Sequence, residues 1–179
     1  SPKTGMPAVK SVKNELIDEA TQEKRAQKHV TSKLCTKCFG ENNSSNKYAF
    51  NIEDIATKND WIAVVHADGN GLGKIIKRVG ADPDNLKSFS ERLEIATNNA
   101  AQSAYNYISE EYKFKSLDKI PIRPVILGGD DFTFICRADF AVSYTQHFLQ
   151  AFEKETQESL GEKLTVCAGI SFIKSSFPF

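Results

Sequence analysis

Two short clusters in this chain carry residues able to act together on a phosphate. Ala67-Asp68-Gly69-Asn70-Gly71-Leu72-Gly73-Lys74 follows the apolar run Trp61-Ile62-Ala63-Val64-Val65. Gly128-Gly129-Asp130-Asp131 sits between Val125-Ile126-Leu127 and Phe132-Thr133-Phe134-Ile135-Cys136. A strand-end carboxylate brought beside two more on a glycine turn repels its neighbours: a pair ~4 Å apart costs ~4 kcal/mol at an effective dielectric of 20. Such a site wants a cation. All-oxygen ligands suit Mg²⁺ or Mn²⁺, held by one or two carboxylates together with substrate phosphates. Asp68, Asp130 and Asp131 are therefore the candidate catalytic and metal-holding residues. Neighbours on a regular strand point to opposite faces, so a regular turn brings one of the last two to the metal, and the expectation falls on Asp130.

The stretch Gly69-Asn70-Gly71-Leu72-Gly73 runs from a strand end into a helix start, where free N–H groups bind phosphate, and Lys74 adds charge. Gly128 and Gly129 permit positive φ and a close backbone approach, which joins them to the candidate nucleotide-binding residues. Metals and amides on one triphosphate describe in-line attack at phosphorus, one metal activating a hydroxyl and the other steadying the leaving oxygen. Neither cluster is specific alone. The glycine stretch has neither the dinucleotide fingerprint nor the Gly-Lys-Ser/Thr of a P-loop, and Gly-Gly-Asp-Asp also makes an ordinary turn. Their joint placement at strand ends carries the metal–nucleotide reading. His66 shares the strand face of Asp68 and reads as a packed neighbour. Lys174-Ser175-Ser176, after the last strand, is a further group that could approach phosphate.

The elements that must position these residues follow from periodicity. Residues 61–67 are apolar without alternation, as in a strand covered on both faces. Leu72, Ile75, Ile76 and Val79 mark one face of a short helix. Ser88-Phe89-Ser90-Glu91 has capping-box spacing and opens a longer helix with the face Phe89, Leu93, Ala96, Ala100, Ala104 and Ile108. Strands follow on either side of Gly128-Gly129. A helix through Ala141, Tyr144, Thr145, Phe148, Leu149 and Phe152 ends at Gly161, and Leu164–Ile173 is a final strand. The order βααββαβ is the ferredoxin-like, split-βαβ plan, an α+β fold with an antiparallel sheet and helices on one face. Its first strand lies centrally, beside the hairpin, so Asp68 and the Asp130–Asp131 turn converge.

Residues 1–50 read as a polar N-terminal segment and 51–179 as the domain that carries the βααββαβ order. Asn14 to Val30 reads as one amphipathic helix. Cys35-Thr36-Lys37-Cys38 has zinc-knuckle spacing, but zinc needs four ligands; a Zn²⁺ site at Cys35 and Cys38 and a solvent-exposed loop pair are both open. The chain has 179 residues, with 23 basic against 23 acidic side chains and a pI near 6.8. That balance leaves no electrostatic footprint for direct nucleic-acid binding. No apolar stretch approaches the ~20 residues of a membrane span. Four cysteines without a disulfide pattern fit a reducing cytoplasm. Ser1-Pro2-Lys3 and the stop after Phe177-Pro178-Phe179 read as the ends of an excerpt from a longer protein.

The Ala67–Lys74 segment, Arg123-Pro124 before Gly128-Gly129-Asp130-Asp131, and Ala168-Gly169-Ile170 with Phe177-Pro178 downstream resemble the second palm domain of the CRISPR polymerase. That protein is the large subunit of type III CRISPR effector complexes and has stand-alone relatives. The resemblance covers roughly residues 60–179 and extends distantly to GGDEF diguanylate cyclases. It implies conversion of ATP to cyclic oligoadenylate messengers in antiviral defence, by attack of a 3′-hydroxyl on an α-phosphate with release of pyrophosphate. By position, it implies that Asp68 and Asp130 hold the metals, Asp131 supports them, the Gly69 carbonyl adds a ligand, and Gly71 to Gly73 lie against the triphosphate. Joining two nucleotides takes two substrate sites, so a homodimer or a second palm is expected, with CRISPR effector subunits as further partners. The sequence shows one palm, no histidine–aspartate nuclease domain, no helix after the last strand, and Lys174-Ser175-Ser176 where two histidines and a lysine are often found. The rival expectations are a catalytically silent nucleotide-binding regulatory module and a diguanylate-cyclase-like enzyme using GTP.

Overall fold

Apolar side chains at every second residue of the strands, and along one stripe of two long helices, put the core between a sheet and a helical layer. The computed structural model describes residues 6–12, 15–26, 28–56 and 60–177; Ser1-Pro2-Lys3, Asn14 and Pro178-Phe179 lie outside them. The chain divides into two compact units, Ser1–Lys33 and Leu34–Phe179.

In the first unit β1 (Lys10–Val12) pairs antiparallel with β2 (Glu15–Ile17), and α1 (Glu19–Ala26) follows. Asp18 opens α1 by accepting from the Thr21 amide at 2.9 Å. The single helix expected over 14–30 is therefore corrected. Strand β2 occupies its start, because Asp18 sets a helix N-terminus there in the manner of an N-cap. The next helix, α2 (Lys28–Phe39), carries Cys35 and Cys38. Both are fully buried, which corrects the solvent-exposed loop reading: they lie on one helical stripe with Phe39 and join the core.

The second unit holds β3 (Trp61–Gly69), α3 (Leu72–Val79), α4 (Pro83–Glu111), β4 (Ile122–Gly128), β5 (Asp131–Arg137), α5 (Ala141–Leu160) and β6 (Val166–Lys174). From β3 onward this is the expected βααββαβ order. The sheet runs β4-β5-β3-β6, with every pair antiparallel. The first palm strand is thus interior, between the hairpin and β6. Pro124 is tolerated because β4 is an edge, and the register shifts beside it.

Ala63, Val65 and Ala67 of β3, and Phe132, Phe134 and Cys136 of β5, point to the helices and are buried. There they meet Leu93 and Ala100 of α4, and Tyr144, Phe148 and Phe152 of α5. Phe132 lies 4.8 Å from Phe148 and Phe134 4.8 Å from Tyr144, centroid to centroid, in the tilted geometries that aromatic pairs favour. Gly161, at φ 72, ends α5 as expected. The start of α4 is corrected. Asp82 caps it, accepting from the Asp84 amide at 2.9 Å, with Pro83 at the first position, so Ser88 falls inside the helix.

Candidate functional site

Strand β3 is covered on both faces only at its beginning. Its helix-facing residues are Ala63, Val65 and Ala67; Ile62, Val64, His66 and Asp68 face the other way. On that second face Ile62 packs with Ala49, Ile55, Ile52, Ile135 and Ile173, so the segment before the strand roofs the lower sheet. Beyond Val64 the face is open, and His66 and Asp68 are exposed. The expectation of a strand buried on both sides holds at Ile62 and fails at the site.

Register brings the carboxylates together. Ala67 pairs with Phe132, and Gly128 with Asp131 across the turn, so Asp68 and Asp131 are the next cross-strand neighbours. That register sets the Asp131 carboxyl beside that of Asp68. Its pKa is raised by partial burial first, then by the Asp130 charge and by Asp68, with His66 opposing. Carboxylates brought together without a countercharge between them are a donor set a divalent cation fits.

Asp130 goes elsewhere. Gly129 takes φ 62 at the first of the two turn positions, as a two-residue hairpin with glycine first requires. The Asp130 side chain then lies against Gly69, where an added Cβ would come within 2.6 Å of its Cβ and Oδ2. Asp131, not Asp130, meets Asp68 on the open face, and Asp130 flanks the pair from the Gly69 side. Among the described residues no three His, Cys, Asp or Glu side chains surround one metal position; the site is a carboxylate pair with a third beside it.

Periodicity and composition did not reveal the supports. Buried Thr97 of α4 donates its hydroxyl to the Gly129 carbonyl as well as to Leu93, the latter at 2.9 Å. A threonine on an apolar helix stripe was the available signal. On the other side the Asn70 amide donates to the Thr165 carbonyl at 2.8 Å, and Asn70 Nδ2 to Thr165 Oγ1 at 3.1 Å. Gly71 turns with φ 73 into α3. The result is an open depression of about 350 Å³ lined by Asn70, Gly71, Lys74, Arg78, Lys163 and Thr165, among others. Arg78 is paired with Glu162 and Lys163 with Glu153, while Lys74 has no ion-pair partner among the described residues. Leu72 packs against the core, and Gly73 and Gly128 have open space where a Cβ would be.

Cys35 and Cys38 lie apart from this. Cys38 Sγ is 3.4 Å from the Tyr144 hydroxyl, and burial pushes the Cys35 thiol up to about 12 and that of Cys38 higher. Among the described residues no group of three His, Cys, Asp or Glu side chains is placed to hold a metal ion around them. Lys174-Ser175-Ser176 is also distant. Lys174 pairs with Trp61 at the far end of β3 and sits 4.5 Å over its ring, while the Ser175 amide donates to Asp60.

Residues 61–179 match the family model described as Cas10/Cmr2, second palm domain. Solved structures share the fold at low identity. A Csm1–Csm4 cassette in complex with AMPPNP aligns with TM-score 0.54 and 17% identity over 71% of this chain and 19% of that one. The cassette in complex with cA4 gives 0.51 and 17% over 66% of this chain and 17% of that one. Csm1 in T.onnurineus gives 0.50 and 20% over 66% and 17%. The chain therefore spans less than a fifth of the length of the structures it resembles. No curated protein matches it. Among the described residues no helix is long and apolar enough to cross a membrane.

Proposed function

Because this chain belongs to the Cas10/Cmr2 second palm domain family, we propose that it is a metal-dependent nucleotidyltransferase of the cyclase kind. It would act on ATP in the cytoplasm, joining a 3′-hydroxyl to an α-phosphate with release of pyrophosphate and leading to cyclic oligoadenylate messengers in antiviral defence. The observation that carries this reading is the meeting of Asp68 and Asp131 on one open sheet face, where the Gly69–Gly71 loop leaves for the start of α3. Family membership and the nucleotide complexes of the similar Csm1–Csm4 cassettes support it.

In this reading Asp68 and Asp131 hold Mg²⁺ or Mn²⁺, with Asp130 and the Gly69 carbonyl alongside. The metal, when bound, supplies positive charge for the phosphates and lowers the pKa of the attacking hydroxyl. The protein's own contribution is positional. Thr97 fixes the Gly129 carbonyl and with it the turn that presents Asp131. The two bonds from Asn70 to Thr165 hold the loop that turns amides towards phosphate. Lys74, without an acidic partner among the described residues, supplies charge to the far phosphates. A single palm presents one such site, so the second nucleotide comes from another palm, in a homodimer or a neighbouring domain of a CRISPR effector assembly.

Calorimetric titration of a non-hydrolysable ATP analogue tests the site. Saturable binding in Mn²⁺ that is lost in EDTA and in Asp68→Ala supports it; failure of the folded wild type to bind removes the assignment. Mass spectrometry after incubation with ATP, GTP and Mn²⁺ then separates an ATP cyclase from a GTP-using one and from a module that binds without turnover.

A further inference from the structure

Two residues on the open face are not explained by packing: His66 and Gly169, direct cross-strand partners on β3 and β6. Gly169 lies inside a nine-residue strand, where glycine weakens the sheet by leaving the backbone freer and burying nothing. Its φ is not positive, and a Cβ added to it would meet nothing within 4 Å. Neither backbone conformation nor neighbours require a glycine. What remains is close approach by something outside the chain.

His66 points out of the same face and is exposed. Its Nδ1 lies 2.8 Å from Oγ1 of Thr133, its partner on β5. That bond sets the ring plane and leaves Nε2 with no protein partner among the described residues. Across the sheet, the row Ile126, Thr133, His66 and Gly169 therefore ends in an uncovered glycine beside a fixed imidazole.

Direction comes from the strand. Asp68 lies one pleat from His66, about 7 Å along β3, and the loop that would take phosphates continues beyond Asp68, away from His66. A molecule with its phosphates at that loop extends its other end back over His66 and Gly169. The free surface stops near Val64 and Ser171, past which Ile62 and Ile173 lie under the 49–56 segment. The open length suits one nucleoside.

Resting on the nucleotide reading above, we propose that the nucleoside of the bound triphosphate lies across this face over Gly169. His66 Nε2 is its hydrogen-bonding contact, and Thr133 is the positioning residue that holds the ring. The glycine admits the ligand, and the imidazole orients it.

The test compares two probes in Mn²⁺ on the full chain: a non-hydrolysable ATP analogue and inorganic tripolyphosphate, which has the phosphates and no nucleoside. Gly169→Leu should weaken the ATP analogue by about tenfold or more, as bulk forced into an occupied space does. His66→Ala should weaken it by about three- to tenfold, the worth of one hydrogen bond, and Thr133→Val by less. All three should bind tripolyphosphate as the wild type does. Undiminished binding of the ATP analogue by Gly169→Leu overturns the proposal and leaves the carboxylate site standing. Failure of the wild type to bind either probe removes both. Should Gly169→Leu not fold, ring NMR signals of the unmodified protein, recorded with both probes in diamagnetic Mg²⁺ in place of Mn²⁺, decide, since it has three histidines to assign. A shift at His66 with the ATP analogue and none with tripolyphosphate upholds the proposal, and no difference between the two overturns it.

Discussion

Gly69 shows how much rests on one missing methyl group. It follows Asp68, and the Asp130 side chain occupies the space a Cβ would take, at 2.6 Å. An alanine there moves Asp130 or the turn that carries it, while the strand and its register remain. Gly69→Ala should therefore melt within about 1–2 kcal/mol of the wild type yet lose much of its metal-dependent nucleotide affinity, as calorimetry on both proteins would show. A fully retained affinity would mean that Asp130 takes no part in the site. That Asp68 and the Asp130–Asp131 turn come to one end of the sheet was legible from charge and turn chemistry. Which of the two turn carboxylates meets Asp68 was not, because that depends on the handedness of a two-residue turn and on the pleat of β3.

At the scale of elements, helix α4 gives the sharpest contrast between local signal and outcome. Its buried stripe of Phe89, Leu93, Ala96, Ala100, Ala104 and Ile108 is the one periodicity predicts. Its start is not: the Ser88–Glu91 capping box is overridden by Asp82 and Pro83, which satisfy the first amides a turn and a half earlier. Asp82→Ala should cost about 1 kcal/mol. Ser88→Ala, at an exposed position within the helix, should be neutral or gain up to about 0.5 kcal/mol. Urea denaturation of the two variants checks both signs; the opposite ranking would put the functional cap at Ser88.

For the whole molecule, the core is built partly from groups that must stay protonated. Burial raises the thiol of Cys35 from 9.0 to about 12, and it pushes the Cys38 and Cys136 thiols and the Tyr144 hydroxyl up as well. A folded pKa above the unfolded one means that stability is whole below the unfolded value and is lost as pH rises towards the folded value. Melting temperature should hold to about pH 8 and fall steadily between about pH 9 and 12. Cys35→Ala should shallow that fall, as thermal melts across the range would register. An unchanged melting temperature at pH 11 would mean that these groups are not buried together.

The sequence by itself determined the order of elements from β3 onward, the apolar faces of α4 and α5, and the three acids at the strand ends, because period, turn chemistry and charge are properties of neighbouring residues. Only the tertiary structure decided that Asp131 meets Asp68, that Thr97 and Thr165 hold the loops on either side, and that Lys174 lies at the wrong end of the sheet. It also decided that Cys35 and Cys38 fill the core and that His66 faces an uncovered Gly169. Each of these depends on which strand lies beside which and in what register. That pairing is fixed by the burial of whole faces, a quantity summed over residues far apart in the chain.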